Sequence, residues 1–112
     1  MKTIDISKKE ELIKVLRKNQ IIFAAVFGSR ARGIADVGSD YDILVEFDPR
    51  ESIPLSRFLD VKDEIEKVIK KKVDLVTIYG LGNKRFKQEV LKTMKVLYGR
   101  KRIESMATQT YN

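Results

Sequence analysis

Cysteine and histidine are both absent from the 112 residues. Their absence excludes disulfides, thiol nucleophiles, zinc sites of the usual ligand types and imidazole acid–base chemistry. Any catalysis must rest on carboxylates, hydroxyls and cations. Long hydrophobic runs are also missing: the longest, Ile21 to Phe27, has seven residues, far below the roughly 18 needed to cross a bilayer. The charged start Met1-Lys2-Thr3-Ile4-Asp5 carries no apolar signal segment. A soluble cytoplasmic protein with no membrane contact is the expectation. At this length the chain is expected to bury one hydrophobic core, as a single domain over residues 1–99 with a partly disordered tail over 100–112.

Charge is plentiful but uneven. Of the net +7, residues 84–102 hold eight basic groups against the single acid Glu89, so the remainder is close to neutral. Concentrated positive charge suits a solvated helix face, an acidic partner or nucleic acid; direct RNA binding would make affinity fall steeply with salt.

Ser7-Lys8-Lys9-Glu10 has the spacing of a capping box, so a helix should begin there and end near Asn19, with Leu12, Ile13 and Leu16 inward. Ile21 to Phe27 reads as a strand buried on both faces. A short helical turn follows over residues 29–33, then a loop over 33–38. From Tyr41 to Phe47 the pattern has period 2, which puts Asp40, Asp42, Leu44 and Glu46 on one face and Tyr41, Ile43, Val45 and Phe47 on the other. Asp48-Pro49-Arg50 marks a loop. A helix over residues 55–70 is expected to turn Phe58, Leu59, Ile65, Val68 and Ile69 inward. A strand over residues 73–79 comes next. A last helix, capped by Asn83, should run to Gly99 with Phe86, Val90, Leu91, Met94 and Leu97 inward. No internal repeat appears. The alternation predicts an α/β (α+β) fold with a small mixed β-sheet packed by helices.

The chemistry concentrates between Gly28 and Asp42. Gly28 to Gly33 has the glycine spacing of a phosphate loop, but Ile34-Ala35 stand where lysine and a hydroxyl residue are needed. No G-x-G-x-x-G occurs, and Asp36 to Asp42 lacks the spacing of a calcium loop. What fits is a helix start whose Gly28 and Ser29 amides face phosphate, with Arg30 and Arg32 able to add charge. Opposite stand Asp40 and Asp42, sharing one strand face. Such neighbouring carboxylates repel unless a cation lies between them, and an oxygen-only ligand set selects Mg²⁺ or Mn²⁺. Asp74, in Val73-Asp74-Leu75-Val76, would complete a three-carboxylate site able to hold two metals roughly 3.5–4 Å apart. Taken singly, a Gly-Ser turn or an Asp-x-Asp strand start is ordinary. The joint pattern is not.

Gly28-Ser29, ten intervening residues, Asp40-x-Asp42 and the later Val73-Asp74-Leu75-Val76 resemble the nucleotidyltransferase superfamily of the DNA polymerase β type. In detail the chain is similar to the minimal nucleotidyltransferases (MNT proteins), antitoxins found beside HEPN-domain toxins. The resemblance implies a polymerase β-like fold and Mg²⁺-dependent transfer of a nucleoside monophosphate with release of pyrophosphate. By position it makes Asp40 and Asp42 ligands of both metals, Asp74 a ligand of the catalytic metal that also helps deprotonate the acceptor, and Gly28 and Ser29 the triphosphate grip. It further implies ATP as donor and a tyrosine hydroxyl of the HEPN toxin as acceptor. The alternatives it leaves are a non-catalytic antitoxin that neutralises the toxin by binding, and a nucleotidyltransferase with a small-molecule or RNA acceptor.

Overall fold

The computed structural model describes residues 6–31, 33 and 40–99. Helix α1, Ile6–Lys18, leads into strand β1, Ile21–Phe27, and directly into the single turn α2, Gly28–Ala31. Strand β2 spans Tyr41–Phe47, helix α3 Leu55–Ile69 and strand β3 Val73–Thr77. A 3₁₀ turn, Ile78–Leu81, precedes helix α4, Lys84–Thr93, and strand β4, Lys95–Gly99. The sheet order is β3-β2-β1-β4. β1 runs antiparallel to both its neighbours, while β2 and β3 are parallel, so the predicted small mixed sheet is the one that forms.

The apolar character of β1 follows from its central place. Ala24 and Val26 enter one core with Leu12 and Leu16 of α1 and Val61, Ile65, Val68 and Ile69 of α3. Phe23, Ala25 and Phe27 enter a second core with Leu44, Ile78, Leu81 and Val90 on the opposite face. β2 alternates as expected: Tyr41, Ile43 and Val45 join the first core, and Leu44 the second. Asn19 ends α1 by turning its side-chain amide back to the Val15 carbonyl at 2.8 Å, and it also donates to Glu64 of α3 at 3.2 Å. α3 stops at Ile69, where Lys70 takes left-handed dihedrals (φ 62°, ψ 36°) and donates its N–H to the Glu66 carbonyl.

Four expectations are corrected, the first being Phe86, which is 46% exposed and not inward. The last helix does not continue to Gly99: it ends at Thr93, and residues 95–99 form β4. A strand buried on both faces but hydrogen-bonded on one side only would strand its other row of amides and carbonyls, and β4 satisfies them. Leu97 is thereby buried as a strand residue, not a helical one. The third strand ends at Thr77, because Ile78 to Leu81 curl into a 3₁₀ turn that buries Ile78 and Leu81 while Tyr79 is exposed. Leu59 faces outward at 48% exposure, and Val61 takes the inward position on α3. The Ser7 side chain, the loop over residues 34–38 and the tail over 100–112 lie outside the described residues.

Candidate active site

The pairing of β2 with β3 brings the site together. Asp42 and Asp74 are direct partners in the parallel ladder, and strand alternation aims both at the face of the second core. The entry to this pair is held at two points. Tyr41 donates its amide to the Lys72 carbonyl at 2.9 Å, and Val73 donates its amide to the Glu66 carboxylate at 2.8 Å. Glu66, which also receives Lys62 Nζ at 3.1 Å, thus fixes the start of β3 from α3, one residue before Asp74. Residue spacing offers no hint of this role, since seven positions of chain separate Glu66 from Val73.

On the other side of β2, Phe27 pairs with Asp42, and the chain turns immediately into α2. Gly28 sits at φ 72°, and a Cβ there would fall on the Asp42 carboxylate, within 3.1 Å of its Cγ. Glycine is required here for backbone and for space. The consequence is that the first turn of α2 lies against a carboxylate, as a site for a metal-bound phosphate would demand. Ser29 is half-buried on the same turn.

Electrostatics reports crowding of like charge. Burial and then the neighbouring Asp74 and Asp40 push the Asp42 carboxyl above its ordinary range. Asp40, Asp42 and Asp74 line one cavity of about 410 Å³ together with Lys62, Glu66, Lys72 and Val73. Among the described residues, however, no three acidic side chains converge into a ready-made metal cage. Neighbouring carboxylates of this kind are the donor set of a hard divalent cation, which can complete its coordination with water and substrate phosphates.

Of the other predicted residues, Arg30 lies with its guanidinium 4.3 Å from the centroid of the Tyr41 ring, and Tyr41 belongs to the opposite face of β2 from Asp42. The Arg32 side chain is outside the described residues. A second cavity of about 420 Å³ opens from Gly28, Asp42 and Asp74 toward α4, lined there by Phe86, Glu89, Val90 and Thr93. Residues 86, 89, 90 and 93 share one face of a helix, and only the fold sets that face beside the aspartates.

Comparison with known proteins accords with this geometry. Residues 10–103 match the family model described as "Polymerase beta, Nucleotidyltransferase". A relative from Methanocaldococcus jannaschii, named "Putative protein adenylyltransferase", is 35% identical over 88 residues, covering 71% of this chain and 88% of the relative. The crystal structure of a toxin-antitoxin with AMP-PNP superposes with a TM-score of 0.73 at 24% identity, covering 92% of this chain and 83% of that one. A structure of the tri-AMPylated Shewanella oneidensis HEPN toxin in complex with MNT antitoxin gives a TM-score of 0.69 at 21% identity, covering 96% and 84%. At these structural identities the likeness speaks to the fold, whereas the family match spans most of the chain: with Asp42 and Asp74 paired beside the Gly28 turn, this protein belongs to the polymerase β nucleotidyltransferase family.

Proposed function

We propose that this chain is an adenylyltransferase that moves AMP from ATP to a hydroxyl, a tyrosine hydroxyl, of a HEPN toxin and so acts as its antitoxin. The observation that carries the reading is the register of Asp42 against Asp74, with Gly28 held at the Asp42 carboxylate. Support for the donor and acceptor comes from the M. jannaschii relative named for protein adenylylation, the neighbour solved with AMP-PNP and the neighbour whose HEPN toxin is tri-AMPylated.

In this reading the acceptor oxygen attacks the α-phosphorus of ATP. The bond from that phosphorus to the bridging oxygen breaks, and pyrophosphate leaves. Gly28 and Ser29 present backbone amides, and Ser29 its hydroxyl, to the triphosphate. Asp40 and Asp42 would hold Mg²⁺ and Asp74 would complete the site; when bound, the metal neutralises phosphate charge and lowers the pKa of the attacking hydroxyl. Asp74, the exposed member of the pair, is assigned the hydroxyl proton. Arg32 is assigned supporting charge near the phosphates, whereas Arg30 lies against the Tyr41 ring on the other face of β2.

The test is intact-mass measurement of the HEPN partner after incubation with this chain, ATP and Mg²⁺. Added AMP increments that vanish with Asp42→Asn support transfer. An unchanged mass with silenced toxin would instead mean neutralisation by occlusion.

A further inference from the structure

We propose that Phe86 and Glu89 of α4 form the nucleobase wall of the site: Phe86 stacks on the base of the donor, and Glu89 accepts a hydrogen bond from its exocyclic amine. This rests on the nucleotidyl-transfer reading above and adds to it the residues that select the base.

Residues 84–102 are the most basic part of the chain, yet α4 does not turn that charge toward the cavity beside the aspartates. The cavity takes the stripe Phe86, Glu89, Val90 and Thr93, which is the i, i+3, i+4, i+7 face; the only acid of the segment is on it. A carboxylate there repels phosphate, so the triphosphate belongs at the Gly28 end and an uncharged group belongs against α4. Phe86 is 46% exposed and is set edge-to-face with Phe27, ring centroids 6.4 Å apart at 76°. The contact orients its ring and leaves a face for a second aromatic system. Val76 and Val90 supply further apolar wall.

The polar groups of this wall are acceptors. Glu89 is exposed and offers carboxylate oxygens. Thr93 Oγ1 donates its proton to the Glu89 carbonyl at 2.8 Å, so toward the cavity it has only lone pairs to offer. A ligand edge facing both must donate. An exocyclic amine does so, and an amino-purine combines that amine with a two-ring surface able to cover Phe86; adenine is the amino-purine of the donor proposed above.

The experiment measures Kd by calorimetry, with Mg²⁺ present, for ATP, purine riboside triphosphate (which lacks the 6-amino group) and inorganic tripolyphosphate. The wild-type chain is expected to rank them in that order. Phe86→Ala should weaken ATP about tenfold or more, the scale of one base–aromatic stack, with tripolyphosphate unchanged, and Phe86→Tyr should restore it. Glu89→Ala should abolish the preference for ATP over purine riboside triphosphate. Retention of that preference in Glu89→Ala, or equal ATP affinity in Phe86→Ala, overturns the proposal while leaving nucleotidyl transfer standing. Failure of the wild-type chain to bind any of the three overturns both.

Discussion

Asp42 is a carboxylate held where an uncompensated charge is unwelcome. Its folded pKa is raised, first by burial and then by Asp74 and Asp40. A raised carboxyl contributes fully to stability at acid pH, where it is protonated in both states, and that contribution is lost as pH rises through the folded value. At neutral pH without divalent cation, Asp42→Asn should therefore melt above the wild type, and the gap should close on acidification. The same variant should lose nucleotidyl transfer. Thermal scans with EDTA across pH, beside an activity assay, check both arms. Gly28→Ala tests the other half of the site. A left-handed φ costs a non-glycine residue about 1–2 kcal/mol, and the new methyl must also displace the Asp42 side chain. Loss of transfer together with a lowered Tm is expected.

At the scale of elements, α3 and the start of β3 are coupled through Glu66. Its pKa is lowered chiefly by the Val73 amide bond, with Lys62 adding to it. A lowered carboxyl stabilises above its ordinary pKa, and that stability is lost as pH falls through the depressed value. Glu66→Gln should cost about 1 kcal/mol at neutral pH, since Gln keeps an acceptor for the Val73 amide and loses only the charge assistance, with the penalty shrinking in acid. Urea melts at two pH values measure it. Lys70 offers a change of opposite sign. Held at φ 62° as the cap of α3, it should be bettered by glycine, and Lys70→Gly is expected to raise stability by about 1 kcal/mol. β1 was readable as an unbroken apolar run ending at Gly28, and β2 because its residues keep period 2. Strand β4 was not, because Val96, Leu97 and Tyr98 continue an apolar pattern compatible with a longer helix, and only the open edge of β1 decides between them.

On the scale of the whole molecule, the chain presents the nucleotide half of a reaction, and its proposed acceptor lies on another protein. Binding to the native state alone stabilises by mass action, so millimolar ATP with Mg²⁺ should raise Tm, and Asp42→Asn should abolish the rise. Absence of any shift with ATP, GTP, CTP and UTP would count against a nucleotide site. Among the described residues no helix is long and apolar enough to cross a membrane. None of Lys84, Arg85, Lys87, Lys92 and Lys95 lines the cavity beside the aspartates.

Residue types alone limited the available metal ligands to oxygen donors. With no cysteine or histidine, Gly28-Ser29 and the aspartates at 40, 42 and 74 carry the family pattern, and period-2 alternation already put Asp40 and Asp42 on one face. Tertiary structure decided what touches what across the sheet. The β2–β3 register sets Asp74 beside Asp42, the Glu66 carboxylate holds the Val73 amide at the start of β3, and α4 sets Phe86, Glu89, Val90 and Thr93 along the cavity that opens from the aspartates. Those relations join residues far apart in the chain, and no local period encodes them.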